Sequence, residues 1–126
     1  MSIVLDASAA MALLLNEPGG EKVAEAIRGA IISSVNMSEV YAKSIDMAKD
    51  VEAARSFFKS LPVRVTGFDD EHALVAGGLR RETRQYGLSF GDRACLATAL
   101  IEKRSVMTAD KAWGSLDIGV EIILIR

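Results

Sequence analysis

Short apolar runs alternate with longer amphipathic stretches along this chain. Ile3-Val4-Leu5 is a brief apolar run closed by Asp6, and Ala9 to Leu15 then reads as a helix. Pro18-Gly19-Gly20 stops that helix, and a second begins with Val23, Ala24 and Ile27 on one face. Ala30-Ile31-Ile32 is another short strand. Asn36 or Ser38 is placed to cap a third helix carrying Met37, Val40, Tyr41 and Ile45, and a fourth runs from Asp50 to Leu61 against Pro62. Val63-Arg64-Val65 alternates as an edge strand does. Asp69-Asp70-Glu71 opens a helix with acids in its first turn, where the helix dipole favours them. Gly77-Gly78 falls inside that helix and weakens it by about 1 kcal/mol per glycine relative to alanine; close packing of another backbone would be one reason to keep the pair. Ser89-Phe90-Gly91-Asp92 has capping-box spacing, with a helix running on through Cys95, Leu96, Ala99 and Leu100. Ser105 to Thr108 is strand-like and ends at Ala109-Asp110, and Val120 to Ile125 is a final, almost wholly apolar strand.

Strands alternating with helices predict a three-layer α/β/α sandwich around a central, mostly parallel sheet of four to five strands. The apolar closing strand fits burial on both faces. The 126 residues read as a single domain, 1–126, with no internal repeat, linker or low-complexity tract. The single cysteine, Cys95, excludes a disulfide framework and a Cys-based zinc cluster, which makes a reducing, cytoplasmic setting the default expectation. Ala7 to Leu15 is nearly all apolar, but it lacks a basic leader and falls far short of the ~20 residues that span a bilayer, so no membrane is expected.

Four acids stand out by position. Asp6 follows the first strand, Asp110 follows the strand at Val106, Glu39 falls in the first turn of the third helix, and Asp92 in that of the helix opened by Ser89. In an open parallel sheet, the carboxyl ends of the strands and the helix N-termini after them share one rim, where ligands bind. Each acid alone also reads as a helix cap, worth about 0.5–2 kcal/mol. Several such caps on one rim would repel each other, and a divalent cation relieves clustered carboxylates. Oxygen donors without nearby His or Cys suit Mg²⁺ or Mn²⁺ rather than Zn²⁺. Capping and metal binding both stand at this point.

The net charge is −2, and with the four rim acids set aside 15 basic residues face 13 acidic ones, so the body of the protein does not repel a polyanion. Arg80, Arg81 and Arg84 are the densest basic group; they read either as a solvated helix face, with Glu82 interleaved, or as a phosphate-contacting patch. His72, the only histidine, is expected to be solvated in its acidic turn, Cys95 to be a core thiol, Trp113 to cover an end of the sheet, and Asp117 to serve a loop. Asp69-Asp70 reads as helix-start chemistry. A receiver-like phosphoacceptor would need a lysine after a late strand, where this chain has Asp110. A paired-aspartate phosphatase would need a second aspartate where Ser8 stands.

The segments Ile3-Val4-Leu5-Asp6-Ala7-Ser8-Ala9, Asn36-Met37-Ser38-Glu39-Val40, Leu88 to Ala97 (LSFGDRACLA) and Thr108-Ala109-Asp110-Lys111-Ala112-Trp113 resemble the PIN-domain family, and within it the VapC-type toxins of prokaryotic toxin–antitoxin pairs. The resemblance spans essentially the whole chain in the family's motif order. It implies Asp6 and Asp92 as principal Mg²⁺ ligands, with Mn²⁺ a possible substitute, and Asp110 beside them directly or through water. Glu39 would complete the acidic cluster and orient the attacking water, with Ser8 and Thr108 as hydrogen-bonding supports. The implied reaction is endonucleolytic RNA cleavage leaving 5′-phosphate and 3′-hydroxyl ends. A cognate antitoxin and homodimerisation are implied as well. Met11, Leu14, Leu15, Met37, Val40 and Tyr41 offer the antitoxin an apolar groove or else belong to the core. The competing reading is a PIN-fold RNA- or partner-binding module without turnover.

Overall fold

The computed structural model describes residues 2–126. Strands β1 (Ile3–Leu5), β2 (Ala30–Ser33), β3 (Val63–Thr66), β4 (Ser105–Thr108) and β5 (Ile122–Leu124) form one sheet in the order β3-β2-β1-β4-β5. Every neighbouring pair is parallel. The helices are α1 (Ala7–Leu15), α2 (Gly20–Glu25), α3 (Ser34–Asp46), α4 (Val51–Lys59), α5 (Asp70–Gly78), α6 (Arg80–Thr83) and α7 (Phe90–Glu102), with tight 3-10 turns at Arg84–Tyr86 and Lys111–Ser115.

The strand period of two divides the core between the faces of the sheet. Ile3, Leu5, Ile32 and Met107 point into a cluster with Ala9, Met11, Met37, Val40 and Phe58 from α1, α3 and α4. Val4, Ile31 and Val106 point the other way, onto Ala76 of α5, Cys95, Leu96 and Ala99 of α7, and Trp113. Helices on both faces of a parallel sheet make the three-layer α/β/α sandwich. The chain runs outward from β1 to β2 and β3, then returns across β1 to β4. The order therefore reverses between β1 and β4, which is the switch point where open α/β sheets bind ligands.

Three local expectations change. Helix α3 starts at Ser34, directly off β2, with Ser33 as N-cap accepting from the Val35 amide, so neither Asn36 nor Ser38 caps it. Glu39 consequently sits in the second turn of α3, beyond reach of the dipole end. The apolar closing segment is ordered as strand only at Ile122–Leu124; Ile123 packs against one core and Ile122 against the other, but the strand is only half-buried because it lies at the sheet edge with no strand on its outer side. Ile125 beyond it turns inward and is buried in the first core.

Gly77 and Gly78 do not serve a close backbone approach: a Cβ built on either meets nothing within 4 Å. That role belongs to Gly20, where a Cβ would stand 2.5 Å from the Ala12 carbonyl oxygen. Gly77→Ala and Gly78→Ala are thus each expected to raise stability by about 1 kcal/mol through helix propensity. Urea unfolding checks this, and an unchanged midpoint for both would show a constraint that α5 does not display.

Candidate metal and active site

Asp6 leaves β1 in an extended conformation and becomes the N-cap of α1. Its Oδ1 accepts from the Ala9 amide at 2.8 Å and from Ser8 Oγ at 2.7 Å. Its Oδ2 accepts from Thr108 Oγ1 at 2.5 Å, across the switch point from the end of β4. Thr108 Oγ1 in turn accepts from the Asp110 amide at 3.0 Å, and Ser8 Oγ accepts from the Ala109 amide at 2.8 Å. Two hydroxyls therefore tie the carboxylate after β1 to the loop after β4. Asp110 caps the turn that follows it, with Oδ1 accepting from the Ala112 amide at 3.0 Å. Asp92 closes the capping box of α7: the Ser89 amide donates to its Oδ2 at 3.0 Å, and its own amide donates to Ser89 Oγ at 3.1 Å.

Glu39 is fixed differently. Asn36 Nδ2 donates to Glu39 Oε1 at 2.8 Å and to the Gly91 carbonyl oxygen at 2.9 Å, which pins the carboxylate against the first turn of α7. Gly91 is the cradle for it, since a Cβ there would stand 2.5 Å from the Glu39 carboxyl carbon and from both its oxygens. Asn36 and Gly91 are site residues that the sequence pattern hides. One looks like a cap and the other like filler in a capping box, and they meet across 55 positions.

The four acids line one cavity of about 120 Å³, together with Ser8, Asn36 and Lys43. Asp6 lies buried in it, Glu39 and Asp92 are half-buried, and Asp110 is exposed at its mouth. Burial pushes the Asp6 carboxyl above its usual range. The bonds from Thr108, Ser8 and the Ala9 amide oppose that shift, while the Asp92 charge adds to it. The Cys95 thiol beneath is wholly buried and pushed well above the usual thiol range, first by desolvation and then by the charges of Asp6, Asp92 and Glu39. It is an inert core thiol.

Among the described residues, no three His, Cys, Asp or Glu side chains converge as a ready-made metal cage. The donor set is nonetheless suited to a hydrated, hard cation. Asp92 and Asp110 each use one oxygen for capping and keep the other free of protein donors, and all the candidate ligands are oxygens. Mg²⁺ keeps several of its waters and is held through one or two carboxylates, so it does not require a closed cage.

Arg80, Arg81 and Arg84 are exposed, and none lines this cavity; Arg81 borders a separate depression with Glu82 and Asp117. The cation that does line it is Lys43, which pairs with no described acid. His72 departs from the expectation of a solvated ring. It is buried, with Nδ1 2.7 Å from Asp69 Oδ1, in a capping box that starts α5. Asp69, held below the usual carboxylate range chiefly by that contact, is the helix-start residue expected. The six residues offered as one apolar groove do not form one. Met11 and Val40 are buried against the sheet, Met37 lines one depression with Tyr41, and Leu14 and Leu15 border another.

A rim of carboxylates at the switch point of a five-stranded parallel sheet defines a class of small α/β/α protein with an acidic cavity at the carboxyl ends of its strands. The PIN-domain family model matches residues 3–118, and the chain belongs to the PIN-domain family. Solved structures share the fold over nearly its full length. A toxin–antitoxin complex from Klebsiella pneumoniae superposes with a TM-score of 0.78 at 17% identity, covering 98% of both chains. A DNA-bound VapBC from Salmonella typhimurium gives 0.76 at 18%, covering 100% of this chain and 99% of that one. VapC20 from Mycobacterium tuberculosis, described as a sarcin-ricin loop cleaving toxin, gives 0.74 at 15%, covering 94% and 98%. No curated protein sequence matches the chain significantly. No helix among the described residues is long and apolar enough to cross a membrane.

Proposed function

We propose that this protein is a VapC-type toxin, a divalent-metal-dependent endoribonuclease that hydrolyses RNA phosphodiester bonds and is held in check by a cognate antitoxin. The observation that carries the reading is the common cavity of Asp6, Glu39, Asp92 and Asp110, drawn from four separate elements. The structural likeness to toxin–antitoxin complexes, and to a toxin described as cleaving the sarcin-ricin loop, supports the same reading.

Asp6 and Asp92 would hold Mg²⁺, or Mn²⁺ in its place, with Asp110 contributing directly or through water. When bound, the cation supplies an acidified water and neutralises charge on the phosphate oxygens. Ser8 and Thr108 fix the Asp6 carboxylate so that it does not rotate as the site loads. Glu39, pinned by Asn36, would accept a hydrogen bond from the attacking water and set its direction. Lys43 stands at the cavity to meet a phosphate oxygen. Attack by water in line with the 3′ oxygen leaves 5′-phosphate and 3′-hydroxyl ends without using the ribose 2′-hydroxyl as nucleophile. The antitoxin would cover the cavity mouth, and a homodimer in the cytoplasm is the assembly we assign.

The test is incubation of the purified, antitoxin-free protein with total cellular RNA, with Mg²⁺, Mn²⁺ or EDTA, followed by sequencing of new 5′ ends. Discrete 5′-phosphate ends that vanish with EDTA are expected. Metal binding without new ends on any RNA pool would instead support a binding module without turnover.

A further inference from the structure

Asn36 is an unusual residue to find where it is. It is the third residue of α3, 1% exposed, and asparagine is a poorer helix former than leucine or alanine. Both partners of its amide, Glu39 Oε1 and the Gly91 carbonyl oxygen, are acceptors, so the nitrogen must face them. The orientation leaves Oδ1 buried with no donor at all. An acceptor desolvated in this way destabilises the native state.

Neither partner needs the amide for its own satisfaction. The Gly91 carbonyl lies in the first turn of α7, within reach of that helix's own i→i+4 ladder. The Glu39 carboxylate is half-buried on the wall of an open cavity, where water can solvate it. Removing the amide therefore strands no buried group and relieves one. What it does supply is direction: it clamps the Glu39 carboxylate against Gly91, one residue from Asp92 and facing the cavity.

We propose that Asn36 is a positioning residue for Glu39, retained against the stability of the fold so that the carboxylate is already aimed at the cation's hydration shell. The proposal rests on the metal-dependent reading of the site. It separates function from stability with opposite signs, as residues at preorganised sites often do.

The experiment compares wild type, Asn36→Leu and Asn36→Ala by thermal unfolding without metal and by Mn²⁺ titration followed by electron paramagnetic resonance. Asn36→Leu, which keeps the number and branching of the side-chain heavy atoms while removing the stranded acceptor, is expected to melt at or above the wild-type temperature. Both variants are expected to bind Mn²⁺ about tenfold more weakly, the low end of the scale for groups outside the ligands themselves, because Glu39 reaches the cation only through its hydration shell. In a Glu39→Ala background, Asn36→Leu should weaken Mn²⁺ binding no further, because the residue acts only through that carboxylate. Lower melting of Asn36→Leu with unchanged Mn²⁺ affinity would make Asn36 a structural residue and overturn the proposal. Equal Mn²⁺ affinity in all three proteins would overturn it alone, whereas a wild type that binds no Mn²⁺ would overturn the metal reading and the proposal together.

Discussion

Asp6→Asn is expected to melt at a higher temperature than wild type at neutral pH while losing RNA cleavage by about a thousandfold, equivalent to roughly 4 kcal/mol of transition-state stabilisation. The stability gain follows from burial. The Asp6 carboxyl is raised above its ordinary value of 3.8, with desolvation the largest cause. The native state therefore holds that proton more tightly than the unfolded chain does. The stabilising contribution is fully present below the unfolded value, declines as pH rises through the higher folded one, and leaves a constant penalty beyond. Asparagine carries no such penalty. Its carbonyl can still accept from the Ala9 amide and Ser8, and its nitrogen can donate to Thr108 Oγ1 once that hydroxyl turns. The difference in melting temperature between the two proteins should thus open as pH rises from about 4 and then level off. Added Mg²⁺ should stabilise wild type and leave Asp6→Asn unmoved. A variant that melts below wild type across this range would show that the hydrogen bonds to the ionised carboxylate outweigh its desolvation.

The same residue shows why the capping and metal readings of the rim acids could not be separated in sequence: capping does not exclude binding a cation. Asp6 and Asp110 do cap the elements that follow them, and Asp92 does close a capping box. Capping fixes the rotamer of each carboxylate through one oxygen, and for Asp92 and Asp110 leaves the other free to face the cavity. Strand ends were legible because β1, β2 and β4 are short apolar runs that stop at polar residues, and their alternation serves both cores, whereas the start of α3 was misplaced because Asn36 and Ser38 also carry capping side chains. Burial of β5 was not, since edge or centre depends on strand order and a run such as Val120 to Ile125 suits either. His72 was misread for a local reason. An acidic first turn suggests solvent, but Asp69 three residues earlier reciprocates its hydrogen bond and Phe68 lies 5.9 Å from its ring, which lets it be buried. Asn36 and Gly91 escaped because their meaning is a tertiary contact between α3 and α7.

Gly91→Ala puts that contact to its most direct test. By propensity alone the change should favour α7, since alanine at a helical position outranks glycine by about 1 kcal/mol. The added methyl would nonetheless stand 2.5 Å from the Glu39 carboxylate, a distance that atoms do not share. Glu39 is half-buried on an open cavity wall and can swing outward, abandoning its bond to Asn36, whereas the first turn of α7 is locked by the Ser89–Asp92 box. The side chain therefore gives way. Cleavage of RNA is expected to fall roughly 10- to 100-fold, with the melting temperature little changed. In a Glu39→Ala protein nothing is left for the methyl to displace, so Gly91→Ala should cost no further activity there and should raise stability by about the helix-propensity difference. Additive losses in the double variant would instead mean that α7 itself had shifted and carried Asp92 with it, making Gly91 a spacer for the helix start and not a seat for Glu39.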